Sequence, residues 1–285
     1  MSSLVEVCEN CSSKLSVSLR YCPTCQADVG FPNVRLCSLG ENRKALARRF
    51  LSAKEIAYNN KCEKEFLLCL DIIDNDSAVV VAMPARIVRS LFDDPKAIYT
   101  NLENLVGSGN RKPSDIDNEM ERSAVEGLLF GSTLAKQIVY GALSITAEGL
   151  SSYGVVYCKL RNIAVEKRTS FIETNSYEFV ETHKLAPGIK IPDGYSANWK
   201  DRSKLVLSKI SDKLFPCISI DELQVLLLYS DGTRENDQFV EAHIYGGFDK
   251  IAIESMMIST DKQHSRADLI DFKLAKEQFD LLNRC

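Results

Sequence analysis

Several signatures of the common enzyme folds are missing from this sequence. It contains no G-x-x-x-x-G-K-[ST] segment, no G-x-G-x-x-G that opens a helix, no H-E-x-x-H and no G-x-S-x-G. These absences argue against a P-loop nucleotidase, a classical dinucleotide fold, a zincin protease and an α/β-hydrolase. With only three histidines in 285 residues, His183, His243 and His264, the usual hydrolase chemistries are poorly supported.

Long apolar runs and strong charge bias are also absent. No run approaches the ~18 apolar residues that span a bilayer, and residues 1–30 lack the hydrophobic segment of a signal peptide. We therefore expect a soluble, cytoplasmic protein with no membrane partner. The net charge is −4, but the first 60 residues hold eight basic against five acidic side chains. This balance does not suit a nucleic-acid coat and leaves room for a small basic contact surface.

Cysteine is abundant, with ten residues, and four of them follow a metal-binding spacing. Cys8, Cys11, Cys22 and Cys25 form two C-x2-C pairs separated by ten residues. Such pairs converge four thiolates on one ion, and a closed, soft sulfur shell is typical of structural zinc. An iron–sulfur centre or a redox dithiol is the alternative. The resulting zinc ribbon would be either a metal-pinned cap or a docking module for nucleic acid or a protein, and the spacing favours neither.

The rest of the chain predicts an α+β fold with few helices and many short strands. Residues 41–59 read as a helix with Arg43, Lys44 and Arg48 on one side, a solvated face or a phosphate contact. Further helices are expected at 85–92, 114–130 (capped by Ser114), 200–214 and from 266 onward, and residues 184–198 should form a loop. Strands are expected at 66–73, 78–83, 138–145, 154–160, 169–173, 224–229, 239–245 and 251–258.

The segment from Phe239 to Phe248 is the part of the sequence that is most informative about function. Period-two alternation puts Phe239, Glu241, His243 and Tyr245 on one face of a strand, and a glycine pair ends it. A carboxylate among aromatic side chains at that position is either paired with a neighbour or chemically active.

This segment resembles the final catalytic strand of ADP-ribosyltransferase-fold proteins, and upstream segments agree in order. The similarity spans roughly residues 98–258 and rests on short motifs: Glu126–Gly131, Val139–Leu143, Tyr153-Gly154, Tyr157–Arg161 and Arg168–Phe171. It implies a mixed, mostly antiparallel split-sheet domain over residues 61–285. This domain would follow a zinc ribbon at 1–33 and a basic helical linker at 34–60.

The resemblance further implies transfer of ADP-ribose from NAD, which would be a substrate. Glu241 would stabilise the positive charge that develops on the ribose when nicotinamide leaves. A hydroxyl on an adjacent strand would hold Glu241; Ser170 is favoured, with Thr169 and Ser176 as the other candidates. Tyr99 and Tyr140 would contact nicotinamide or ribose, and Arg161 and Arg168 would meet the NAD phosphates.

The acceptor is expected to be a macromolecule. Arginine-modifying members of the fold carry Glu or Gln two residues before the catalytic Glu, whereas Phe239 stands there in this chain. Since an aromatic ring can stack a nucleobase, RNA or DNA is favoured over protein arginine. By analogy the protein would be a toxin or phage-defence effector with an antitoxin or inhibitory partner. The alternative is a non-catalytic zinc-ribbon module that binds nucleic acid or protein, with a metal-dependent nuclease as a weaker third.

Overall fold

The computed structural model describes residues 6–16, 18–101, 119–230, 234, 236–260 and 263–284. The predicted N-terminus of the helix at 114–130, including its Ser114 cap, lies outside these ranges. None of the helices in them is both long enough and apolar enough to cross a membrane.

An antiparallel sheet of seven strands organises the body. In sheet order the strands are β11, β5, β3, β4, β10, β6 and β7, and every neighbouring pair is antiparallel. Their bounds are β3 Ala78–Met83, β4 Ile138–Ser144, β5 Val156–Leu160, β6 Thr169–Ile172, β7 Ser196–Asn198, β10 Glu241–Tyr245 and β11 Ile253–Ile258. Two short pairs lie outside this sheet: β1 Glu6–Val7 with β2 Lys14–Leu15, and β8 Leu228–Tyr229 with β9 Gln238–Phe239.

Ten α-helices surround this sheet in the described part of the chain. They are α1 Pro32–Ser38, α2 Gly40–Asn59, α3 Glu63–Asp76, α4 Ala85–Asp93, α5 Glu119–Ala135, α6 Asn162–Val165, α7 Ser176–Thr182, α8 Arg202–Ile210, α9 Ile220–Leu227 and α10 Arg266–Leu282. The α+β class predicted from the sequence is therefore confirmed. Seven of the described strands form one continuous antiparallel sheet, however, and not the mixed, split sheet that the resemblance implies, because β10 pairs with both β4 and β6.

The two faces of the sheet are covered differently. On one face, Ala242 and Ile244 of β10 join the main hydrophobic core together with residues of α2, α3 and α8. The opposite face carries Glu241 and His243 and lies under α1, α5 and α7. We call this second face the site face. Because β10 is central and covered on both sides, its polar side chains are buried rather than solvated.

Most of the predicted elements are confirmed, with boundaries shifted by a few residues. Strand β3 and helix α2 lie where the pattern put them, and α10 begins at the expected Arg266. The loop predicted at 184–198 ends in the short strand β7. Two strand predictions are wrong: residues 66–73 lie in helix α3, and most of residues 224–229 lie in helix α9.

The segment at residues 34–60, expected as a linker, packs on the body. Leu46, Ala53 and Ala57 of α2 are buried in the main core, and Asn42 at its start is 3% exposed. Arg49 of the same helix pairs with Glu173 at 2.6 Å. The helix therefore belongs to the layer that covers the sheet.

Candidate functional site

Glu241 begins strand β10 and lies on the site face with its side chain almost entirely buried. Its carboxylate Oε2 accepts a hydrogen bond from the backbone N–H of Ser176 at 3.1 Å, and Oε1 accepts one from the Ser176 hydroxyl. The Nε2 atom of His243 lies 2.7 Å from Oε1. These contacts fix the orientation of the carboxylate, because both oxygens have directional partners.

The start of α7 brings Ser176 to this position. Strand β6 pairs with β10. The chain that leaves β6 therefore begins helix α7 next to Glu241. Asn175 caps this helix: its Oδ1 accepts from the N–H of Glu178 at 2.9 Å, and its Nδ2 donates to the carbonyl of Asp237 at 2.8 Å. The cap leaves the N–H of Ser176 free of a helical partner and available to Glu241.

His243 is the second buried polar side chain of the site, 1% exposed. Two aromatic rings meet the imidazole edge to face: Phe130 at 4.8 Å and Tyr140 at 5.3 Å between ring centroids. Edge-to-face contacts hold the ring plane, so Nε2 stays directed at Glu241. When Glu241 is ionised, Nε2 carries the hydrogen of this bond.

Of the three hydroxyl candidates from the sequence, Ser176 is the one that meets Glu241. Ser170, the favoured candidate, accepts a hydrogen bond from Asn33 Nδ2 at 3.1 Å. Thr169 donates to the carbonyl of Val165 at 2.8 Å. The pattern that could have selected Ser176 is the capping sequence Asn175-Ser176-Tyr177-Glu178, which marks a helix start and places a small polar residue in the first turn.

The two arginines expected at the NAD phosphates donate hydrogen bonds to backbone and side-chain groups of this chain. Arg168 donates to the three carbonyls of residues 245–247 at 2.6, 3.0 and 2.9 Å, and burial lowers its pKa. Arg161 donates to the carbonyl of Ile251 at 3.1 Å and to the side chain of Asn283 at 2.9 Å. Both residues hold the ends of strands and helices in place.

The two tyrosines expected at nicotinamide or ribose occupy different places. Tyr140 lies on β4 against His243, inside the site. Tyr99 lies beyond the end of β10, where it exchanges two backbone hydrogen bonds with Phe248 at 2.8 and 3.0 Å. The glycine pair permits this approach, since a Cβ on Gly247 would lie 2.6 Å from the Tyr99 carbonyl oxygen.

Phe239 lies on the side of the sheet that the alternation predicts, but its ring is buried. It packs with Ala142, which lies opposite Glu241, while Val240 joins the main core with Ala242 and Ile244. Phe239 belongs to β9 and pairs with Leu228, and Val240 separates it from β10. Its ring is 4% exposed and meets Tyr153 edge to face at 6.0 Å. The alternation therefore continues through Val240, and this buried ring cannot stack a nucleobase without leaving its packing site.

The four N-terminal cysteines form a compact group that fits a metal ion. All four sulfur atoms lie within 4.8 Å of one another, with Cys8 to Cys25 and Cys11 to Cys22 each at 3.6 Å. A zinc ion with four Zn–S bonds of tetrahedral geometry requires sulfur atoms ~3.8 Å apart. A metal such as zinc is therefore compatible with this cluster.

The thiols of the cluster are in unequal environments. A hydrogen bond from the Ser13 hydroxyl lowers the pKa of Cys22 to about 5, and burial raises the pKa of Cys8 to about 11. A divalent cation stabilises all four as thiolates, since thiolate is the form that binds metal.

No model of a known protein family matches this chain, and no curated protein matches it at a significant level.

Proposed function

We propose that the protein is an NAD-dependent ADP-ribosyltransferase in which Glu241 is the catalytic carboxylate. The observation that carries this proposal is the carboxylate itself, which is buried on a central strand and oriented by Ser176 and by His243, whose ring packs against Tyr140 and Phe130. The resemblance of the segment at residues 239–248 to a catalytic ADP-ribosyltransferase strand supports the same assignment.

The chemistry suits such a carboxylate. The bond between the nicotinamide nitrogen and the ribose carbon breaks, and its electron pair leaves with nicotinamide. The ribose then carries the positive charge of an oxocarbenium ion, which a nearby carboxylate stabilises. An acceptor nucleophile attacks the same carbon, and its proton passes to solvent water. Arg161 and Arg168 are left out of the proposed NAD site because both are bound to the chain's own groups.

The acceptor in this proposal is a macromolecule, with nucleic acid and protein as separate outcomes of the test. Phe239 does not favour a nucleic-acid acceptor, because its ring is packed against Tyr153. A role as a toxin or phage-defence effector with an inhibitory partner follows from the resemblance. This role requires NAD turnover, and its absence would contradict the role.

The test is incubation of the purified chain with labelled NAD and a cell lysate, followed by nuclease or protease digestion. We expect labelled product and released nicotinamide from the wild type and neither from Glu241→Gln, with the thermal melt almost unchanged. The matched control is Glu254→Gln, which alters a partly exposed carboxylate on β11 of the same sheet and should keep wild-type turnover. Full activity in Glu241→Gln would remove Glu241 from the mechanism.

A second candidate function is a non-catalytic binding module. The observation that favours it is the closure of the site: Glu241 is 6% exposed, and its partners are this chain's own groups. In this case the basic side of α2, which includes the exposed Arg48, and the cysteine cluster would contact nucleic acid. The same assay separates the two functions: absence of nicotinamide release, with nucleic-acid binding that weakens with salt and is lost in Cys8→Ser, supports the module.

A further inference from the structure

Phe31, shortly after the cysteine cluster in sequence, contacts strand β10 of the site face. We call residues 6–30 the N-terminal module. Phe31 follows it, and its ring lies 5.5 Å from that of Tyr245, the last residue of β10. The guanidinium of Arg20, which belongs to the module, also stacks over the Phe31 ring at 4.2 Å. One aromatic side chain therefore touches both the module and the candidate catalytic strand.

Asn33, two residues further on, ties α1 to the two strands of the site. It is fully buried, and its Nδ2 lies within hydrogen-bonding distance of three acceptors: the carbonyl of His243 at 2.8 Å, the Ser170 hydroxyl at 3.1 Å and the carbonyl of Arg168 at 3.1 Å. Its two amide hydrogens are thus fully used. Its Oδ1 has no donor among the described residues. An unpaired buried acceptor destabilises the fold. The hydrogen bonds that Nδ2 donates to the two strands therefore explain why an asparagine occupies this position.

The opposite side of α1 is tied to the N-terminal module by Arg35. Its Nε donates to Glu6 at 2.9 Å, and its Nη1 donates to the carbonyls of Leu19 and Gly30 at 2.7 and 3.1 Å. Asn33 and Arg35 thus connect the site and the N-terminal module through one short helix.

The groups that Arg35 holds depend on the cysteine cluster for their positions. Glu6 lies two residues before Cys8, Leu19 three before Cys22, and Gly30 five after Cys25. Among the described residues of the module, the buried hydrophobic ones are Cys8, Leu15 and Cys22, and two of these three belong to the cluster. A unit with so small a core needs its metal to stay folded.

We propose that metal binding by the four cysteines controls the order of the Glu241–His243 strand through residues 31–35, with Asn33 as the positioning residue. The N-terminal module then stabilises the site and does not act as an independent unit. The consequence for turnover rests on the proposed function, whereas the coupling between metal and strand does not.

The test measures backbone hydrogen exchange of the full chain by mass spectrometry, with Zn²⁺ bound and after chelation. We expect peptides that cover residues 239–248 to exchange about tenfold faster without metal, because the Asn33 and Phe31 contacts loosen. Peptides that cover β11, at the far edge of the sheet from α1, should keep their rates. Unchanged exchange at 239–248, or equal acceleration in β11, overturns the proposal.

Two variants test the path itself with Zn²⁺ in place. Asn33→Ala should reproduce the acceleration at 239–248 while the protein still binds one equivalent of zinc. In Arg35→Gln, chelation should change the exchange at 239–248 less than in the wild type, because the module is already uncoupled. Wild-type exchange in Asn33→Ala, or a full chelation effect in Arg35→Gln, counts against the path.

Asn42 supplies the matched control. It is a buried asparagine on the neighbouring helix α2, and it bonds the backbone of Cys37, Gly194 and Ser196 instead of β10. Asn42→Ala should lower the melting temperature and leave exchange at 239–248 as in the wild type; acceleration there would reduce the Asn33 result to general destabilisation. Nicotinamide release is assayed in parallel, and its absence from every sample would contradict the proposed function while the exchange data still decide the coupling.

Discussion

Around the carboxylate of Glu241, the donors are a hydroxyl, a backbone N–H and an imidazole nitrogen. None of the described Lys or Arg residues forms an ion pair with it. A hydroxyl and a backbone N–H orient a carboxylate without cancelling its charge, whereas a guanidinium would neutralise it. The site is therefore suited to stabilise a cation that forms during a reaction, which is the requirement of the proposed chemistry.

Replacing Ser176 by Ala tests this orientation at the scale of one hydroxyl. The backbone N–H of residue 176 remains on Oε2 while Oε1 loses its hydroxyl donor. We expect kcat for NAD consumption to fall about tenfold to a hundredfold with little change in KM, because misorientation affects the transition state more than substrate binding. Steady-state nicotinamide release measures both constants.

Two comparisons make the Ser176→Ala result specific. Ser208→Ala, on α8, removes a hydroxyl that bonds only the carbonyl of Lys204 and should retain wild-type kcat. Ser170→Ala should reduce kcat less than Ser176→Ala, since the Ser170 hydroxyl meets Asn33. A larger loss in Ser170→Ala would return the hydroxyl role to that residue.

The residues of the site differ in how far the sequence could reveal them. The cysteine cluster is local: its spacing alone brings four sulfur atoms together, as the structure has them. Alternation correctly put Glu241 and His243 on one face of β10. The choice between Ser170 and Ser176 depends on where α7 begins above the sheet, and the role of Asn33 depends on contacts more than 130 residues away in sequence. Neither leaves a periodic signal.

At the scale of elements, the two wrong strand predictions have a common physical cause. In α3 the buried residues Phe66, Cys69 and Ile73 recur at helical spacing, but the half-exposed Leu67 and Leu68 fill the gaps and make the run look continuous. Exposed apolar side chains on a surface helix thus imitate a buried strand.

Helix α9 was missed although the sequence carries its start signal. Ser219 and Glu222 form a capping box, with the Ser219 hydroxyl accepting from the N–H of Glu222 and the carboxylate returning to the N–H of Ser219. The S-x-x-E pattern is visible in the sequence and favours a helix. Apolar composition at residues 225–228 outweighed it in the strand prediction.

Arg202 gives the prediction for helix packing. Its guanidinium is 5% exposed and donates to the last-turn carbonyls of α3, Ile73 at 2.9 Å and Asp74 at 2.6 Å, and to the Ser77 hydroxyl at 3.0 Å. We expect Arg202→Met to lower the free energy of unfolding in urea by about 2–4 kcal/mol, because several buried carbonyls lose their donor at once.

The control for Arg202 is an arginine on the surface. Arg43 of α2 is 61% exposed and lies 3.6 Å from Asp201. Arg43→Met should change the free energy of unfolding by less than about 1 kcal/mol, because Arg43 is exposed and the buried Asp201 keeps its second partner, Lys204, at 2.7 Å. Equal losses in the two variants would show that capping of α3 contributes nothing beyond an ordinary surface pair.

At the scale of the whole molecule, Lys209 is a partly buried cation whose charge makes stability depend on pH. Lys209 lies near the C-terminal end of α8, with its Nζ 3.4 Å from the carbonyl of Phe239. Burial lowers its pKa from 10.5 to about 8, partly offset by Glu178 and Glu173. The folded chain therefore holds this proton less tightly than the unfolded chain does, and folding at neutral pH includes the cost of keeping the ammonium group away from water.

This cost makes stability depend on pH in a predictable direction. Between about pH 8 and 10.5 the unfolded chain binds a proton that the folded chain has released, so the contribution of Lys209 to stability rises with pH across this window. Replacing Lys209 by Met removes the penalty, and we expect a melting temperature about 2–4 °C above the wild type near pH 7. The difference should shrink through the window, because both proteins are then neutral at this position.

Thermal melts from pH 7 to about pH 10.5 measure this difference in melting temperature. The control Lys54→Met, which alters an exposed lysine of α2, should show a pH-independent difference. A constant gain for Lys209→Met at every pH would mean that better packing, and not relief of a buried charge, is responsible.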